Sequence, residues 1–355
     1  MSDPEIPGTE RPGTGVPGGG LSEPTPMADP SAAPGTRAFG LESPVIDVRH
    51  APVSPQSSQV VPDGGEAGSS GGMLRQVGQT FFEHKMAVVS AAILILIVLF
   101  CFVGPLVYHT NQTNAQEALF NSTSNAPPGA GHPLGTDENG FDILGRIMYG
   151  GQVSLEVGFA AAGIAVAVGV LWGAISGFLG GWIDSVLMRL VDTIYSIPLY
   201  FLVITMAVIF QPSFELLIFV IGFTSWLVPA RLIRGETLVL RVREFVQAAR
   251  SMGGSSRRII YRHIVPNTIG TIIVNATFQV ADAILLLAAL GFIGLGVPPP
   301  QTDWGSMLSN GVNFALDGYW WEIYPVAVVF IVVLIALSFI GDALRDAFEV
   351  RLQRR

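Results

Sequence analysis

Met86–Tyr108 reads MAVVSAAILILIVLFCFVGPLVY, 23 residues without a charged side chain. About 20 apolar residues in helical form cross a bilayer core, because a helix satisfies its own backbone where lipid offers no partner. This stretch therefore predicts a membrane span. Five more follow it: Val157–Trp182, Thr193–Ser213, Leu216–Ala230, Thr271–Val297 and Ile323–Gly341. The chain reads as an all-α membrane protein with six transmembrane helices. Composition agrees. Of 355 residues 50% are hydrophobic and only 13% charged, with a mean hydropathy of +0.52, whereas soluble domains carry about a quarter charged residues.

N-terminal to the first span the character changes. Residues 1–70 hold 23 Gly or Pro, and 9 acids against 3 arginines, so most of the net charge of −8 sits there. With no apolar period it cannot offset its chain entropy, and it reads as a disordered acidic cytoplasmic tail. It lacks the apolar region of a secretory signal. Residues 71–108 form the N-terminal segment and first span. Residues 109–150 are an extracytoplasmic loop leading to the second span. Residues 151–345 are the core domain, and 346–355 a basic C-terminal tail. Lys85 is the one lysine, flanked by His84 and Met86, so the chain has no Gly-rich loop ending in Lys-Ser/Thr to cradle a phosphate. Any ATP would be bound by another chain, and no cofactor is expected in this one. The single cysteine, Cys101, rules out an intrachain disulfide or a multi-cysteine metal site. No catalytic or metal-ligating residue is assigned.

Loop charge sets the orientation, since cytoplasmic loops gather Lys and Arg. Residues 109–141, 211–215 and 298–322 contain none. Residues 231–263 contain eight arginines, and four more follow Gly341. Both termini and the 231–270 segment are thus placed in the cytoplasm. Arg146 is the exception, falling outside. The Gly/Ala-rich second span predicts close helix packing. Pro198 predicts a kink in the third span. Arg189 and Asp192, three residues apart, predict an ion pair. Tyr319, Trp320 and Trp321 predict an interfacial anchor.

The most informative loop is Arg241–Asn267, RVREFVQAARSMGGSSRRIIYRHIVPN. Phe245, Ala248, Ala249 and Met252 recur with helical spacing and predict one apolar stripe. Gly253-Gly254 predicts a left-handed stop, Ser256 a cap for a second short helix, and Pro266 its end. The resulting helical hairpin suits a groove in another protein. The competing reading is a loop packed on its own domain or on lipid headgroups, where each arginine adds about 1 kcal/mol of attraction. Within the fifth span Asn275, Gln279 and Asp282 share one helical stripe. An ionisable group at that depth is a candidate for the translocation path.

The spacing Gln247-Ala248-Ala249, Gly253, Val265-Pro266 resembles the EAA loop of bacterial ABC importer permeases, with Gln247 standing where that motif has Glu. Four further stretches resemble the peptide-permease branch in order. They are Gly135-Thr136-Asp137 with Asp142 and Arg146; Gly180-Gly181-Trp182-Ile183-Asp184 with Met188-Arg189 and Asp192; Gly294-Leu295-Gly296-Val297-Pro298-Pro299-Pro300 with Trp304-Gly305-Ser306-Met307-Leu308; and Gly341-Asp342-Ala343-Leu344-Arg345-Asp346. The resemblance spans about 80–355. It implies the second permease subunit of a dipeptide, oligopeptide or nickel ABC importer, with a type I permease fold, in the bacterial inner membrane. It implies three kinds of partner besides membrane lipid, and no nucleic acid: a homologous sister permease, two ATP-binding cassette subunits, and an extracytoplasmic substrate-binding protein docking on 109–141 and 298–322. Gln247, Ala248, Ala249, Gly253, Arg257, Arg258 and Pro266 would form the ATPase-coupling loop. Asp282 would either line the path and meet a peptide amine or bond to the sister permease. The family often has a small residue at that position. Two rival readings stay open: an ion-coupled secondary transporter using Asp282, and a membrane scaffold recruiting a partner through its basic loop.

Overall fold

The computed structural model describes residues 78–113, 118, 120 and 123–353; the expected disordered tail, residues 1–70, lies outside them. Among the described residues, after a helical stretch at 78–83, eleven α-helices carry the fold: α1 Lys85–Val107, α2 Ile143–Leu179, α3 Gly181–Tyr195, α4 Leu199–Phe210, α5 Phe214–Ser225, α6 Leu227–Leu240, α7 Glu244–Ser251, α8 Ser256–Ile259, α9 Ile269–Phe292, α10 Trp304–Ala315 and α11 Tyr324–Gln353. Among the described residues there is no β-strand. Among the described residues five segments are long and apolar enough to cross a membrane, six when the bent pair α3–α4 is counted as one span.

Three spans differ from their sequence reading. The second begins at Ile143, where the Asp142 carboxylate accepts from Gly145 N at 2.9 Å and caps the helix. At 37 residues it measures about 55 Å and outruns the bilayer. The third is broken rather than kinked. Its halves meet at 77° around Ser196–Pro198, and Pro198 stands as the N-cap of α4. Proline has no N–H to donate and disfavours a helical residue before it, so the chain stops and restarts. The fourth, expected to end at Ala230, runs on as α5–α6 to Leu240. It carries Arg231 and Arg234 on the helix because both find carboxylates on α3, as described below.

The close packing expected of α2 has a definite location. Gly169, Gly173 and Gly177, one turn apart, lie against α6: a Cβ on Gly173 would come within 2.8 Å of the Arg234 N, and one on Gly177 equally near the Arg234 carbonyl. Only glycine lets the two backbones approach so closely. Elsewhere the core is made by α1, α2, α9 and α11 around Trp304, which is wholly buried beside Ile147, Ile284 and Val326. Cys101 joins this cluster as a buried apolar side chain. Many large apolar side chains, such as Leu106, Trp182 and Phe201, remain exposed, as a surface against lipid or other subunits requires. α11 continues to Gln353, so the segment set apart as a basic tail begins as helix.

Candidate functional site

The hairpin predicted to be cytoplasmic is built from α7, α8 and the turns up to Asn267. Val246 and Ala249 on α7, with Ile259, Ile260 and Ile264 beyond it, bury against Val170, Ala174 and Phe178 of α2 and Ile233 of α6. The hairpin is thereby rooted on two spans. The single stripe read from sequence divides in two. Ala249 is only 8% exposed and belongs to the inward face, whereas Ala248 and Phe245 are exposed and Met252 is 82% exposed on the outward face. Helical spacing alone could not separate them, because Val246 competes with Phe245 for the inward position. Gly253 adopts φ +79°, the left-handed stop that was expected, and no atom lies within 4 Å of where its Cβ would be. Ser255, not Ser256, precedes α8, and it makes no side-chain cap. Pro266 does not end the second helix abruptly; it sits in a 3-10 turn after a π-helical stretch, Ile260–Ile264, and the chain then continues into α9.

Charges rim the outward face. Gln247 Nε2 donates to the Arg241 carbonyl at 3.0 Å. Arg257 and Arg258 are exposed. Arg250 turns back over the Phe178 ring at 5.1 Å, so it braces the hairpin rather than reaching outward. Pro266 is exposed. The structure brings Gln247, Ala248, Gly253, Arg257 and Arg258 to solvent and leaves Ala249 inside.

Sequence reading missed the ties between α3 and α6. Asp184 holds Arg234 through two contacts of 2.6 Å and also accepts from Ser176 on α2. Asp192 pairs with Arg231 at 2.7 Å, not with the nearer Arg189, and the same guanidinium lies 4.3 Å over the Tyr195 ring. The motif containing Asp184 and Asp192 marked the acids. Their partners were hidden because the fourth span was ended before Arg231.

A cavity of about 650 Å³ lies between the break in the third span, the α5–α6 junction and α9. Asn275, Gln279 and Asp282 all line it, with Tyr195, Tyr200 and Phe278, so the predicted stripe is brought to one wall. Gln279 is buried and donates Nε2 to the Ser225 carbonyl at 2.7 Å. Asn275 Oδ1 is buried without a partner. Asp282 is exposed to the cavity and makes no hydrogen bond or ion pair among the described residues.

The loops predicted to lie outside form a polar knot that is largely buried. Arg146 Nη1 meets Asp137 at 2.9 Å, and its Nη2 donates to Thr302 at 3.0 Å. The arginine that broke the loop-charge pattern is thus neutralised on its own side. Burial pushes the Asp137 carboxyl above its ordinary value, with Arg146 opposing. Asp303 caps α10 through Ser306 N at 3.0 Å and also accepts from Val297 N. Trp321 Nε1 donates to the Thr136 carbonyl at 3.3 Å, so this aromatic residue fastens the loop ahead of α2.

Comparison with known proteins accords with this architecture. Residues 169–354 match the family described as binding-protein-dependent transport system inner membrane component. Residues 72–128 match the N-terminal TM domain of oligopeptide transport permease C. The oligopeptide transport system permease protein OppC of Salmonella typhimurium is 42% identical over 270 residues, covering 76% of this chain and 88% of that one. The Bacillus subtilis OppC is 36% identical, covering 77% and 88%. The dipeptide transport system permease protein DppC of Bacillus subtilis is 35% identical, covering 77% and 84%. Among solved structures, a chain of the inward-facing MetNI methionine ABC transporter gives a partial likeness, with a TM-score of 0.46 at 17% identity over 56% of this chain and 94% of that one. From the matched residues 169–354 and these relatives, the chain belongs to the family of binding-protein-dependent transport system inner-membrane components, and it is a multi-pass membrane protein.

Proposed function

We propose that this chain is the permease subunit of an ATP-driven peptide importer of the bacterial inner membrane. It forms half of the translocation channel, with a homologous sister permease as the other half. Two ATP-binding cassette subunits supply the energy from the cytoplasm, since this chain has no phosphate-binding loop of its own. A substrate-binding protein delivers cargo to the outer loops. The peptide cargo is argued from the names of the relatives, several of which are oligopeptide or dipeptide permeases.

The observation that carries the reading is the hairpin. It is fastened by its buried face to α2 and α6 and presents Phe245, Ala248 and Met252 outward within a rim of arginines. A small apolar patch with a charged rim is the anatomy of a docking contact. Because the buried face is packed, a push on α7 is carried into α2 and α6 rather than absorbed locally. α6 in turn holds α3 through Arg231 and Arg234, and α3 ends at the cavity. Closure of the ATPase pair would reach the channel wall by that route.

Met252→Glu tests it. Residue 252 touches little of its own domain, so membrane level and thermal stability should stay at wild type. Recovery of the ATPase with the tagged permease should fall by about tenfold or more, the effect of a charge placed in a contact centre. Wild-type recovery and transport with Met252→Glu would sink the assignment, and the basic hairpin would then be a lipid anchor.

A further inference from the structure

The cavity beside the broken span offers acceptors where a passing peptide carries donors. The Ser225 carbonyl can only accept, so Gln279 must turn Nε2 toward it and keep Oε1 free. Asn275 Oδ1 is buried and unpartnered. Asp282, midway along α9, adds a carboxylate with no partner among the described residues. No Lys, Arg or His is among the residues that line the cavity, and Arg231 on the neighbouring α6 is committed to Asp192 and to the Tyr195 ring. Tyr200 and Phe278 give the cavity aromatic surface that suits a positive charge. A carboxylate at mid-membrane depth persists where water or a cation compensates it. Resting on the importer reading, we propose that Asp282, Asn275 and Gln279 form a primary-ammonium site in the translocation path, occupied in passage by a peptide's free amino terminus or by a lysine side chain. The site discriminates cargo inside the channel, separately from any selection by the binding protein.

The test compares wild type, Asp282→Asn and Asp282→Glu in the complete importer reconstituted in vesicles, with one binding protein throughout. The probes are trialanine, N-acetyl-trialanine and N-acetyl-Ala-Lys-Ala. For each probe the ratio of variant to wild-type uptake cancels the binding protein's preference. Asp282→Asn should lower uptake of trialanine and N-acetyl-Ala-Lys-Ala by about tenfold, the order of one lost charge-assisted hydrogen bond. It should leave N-acetyl-trialanine and ATPase recovery unchanged, and Asp282→Glu should restore the difference. A fall confined to trialanine assigns the site to the amino terminus alone. An equal fall for all three probes, or none, overturns the proposal. So does loss of the sister permease from the purified Asp282→Asn complex, which would make Asp282 an interface residue. A wild-type complex that moves no peptide overturns the importer reading and this inference with it.

Discussion

At the scale of single residues, Arg146 shows how an exception to a charge rule is resolved. Its partner Asp137 is nine-tenths buried, and so is Arg146 itself. Removing one member of such a pair strands the other, at about 3–5 kcal/mol. Arg146→Ala should therefore lower the unfolding midpoint of the detergent-solubilised protein. The effect should depend on pH. Burial already raises Asp137 in the folded state, and loss of Arg146 removes the influence that opposes it. A folded carboxyl that holds its proton more tightly than the unfolded one makes stability fall as pH rises, from the ordinary carboxylate range up to its raised value. The variant should thus recover stability on acidification toward that range. A midpoint unaffected by the substitution would mean the outer knot does not depend on this pair. Residue-level reading also corrects Ala249. A carboxylate there would damage the hairpin's own packing, so Met252 is the position that probes docking alone.

At the scale of elements, two devices bind α6 to its neighbours. The glycine row of α2 admits α6 at backbone distance. Gly173→Val should force the helices apart at about 3 kcal/mol, the upper range for overpacking, because backbone atoms cannot step aside. The carboxylates of α3 act from the other side. Asp192 and Arg231 are both well exposed, so their pair is worth about 0–1 kcal/mol at most. Asp184 is better shielded and bonds Arg234 through two atoms. Thermal unfolding should rank Asp184→Asn as clearly more damaging than Asp192→Asn. The reverse order would show that the α3–α6 tie is set by Arg231 on Tyr195 instead.

At the scale of the whole molecule, the spans imply that 109–141 and 298–322 lie on one side and the hairpin on the other. In a Cys101→Ala background, Ser124→Cys and Leu316→Cys should react with an impermeant thiol reagent in intact cells, since both positions are exposed. Ser255→Cys, also exposed, should react only after the cells are opened. Labelling of Ser255→Cys alone would invert the orientation. The hairpin then connects to the cavity through α6 and the α3 half of the broken span.

Much of this protein was legible without coordinates. Its spans could be located, though not their ends, because lipid demands a run of apolar residues whatever their neighbours are, and the gathering of arginines in alternate loops predicts a sidedness. The stop between the hairpin's two helices was legible too, since Gly253 acts through local backbone geometry, whereas the cap at Ser256 and the end at Pro266 were not met. What the tertiary structure decided depends on partners distant in sequence. Helical spacing assembled Phe245, Ala248, Ala249 and Met252 into one face, but packing against α2 and α6 drew Val246 and Ala249 inward and left the others out. Proximity paired Asp192 with Arg189, whereas folding placed Arg231 within 2.7 Å. The break at Pro198 was readable as a distortion, but its 77° bend took shape from the helices around it. Asp282 was visible as a charge out of place. That it faces a cavity of acceptors follows from how α9 lies against the broken span and the α5–α6 junction, a relation no local pattern encodes.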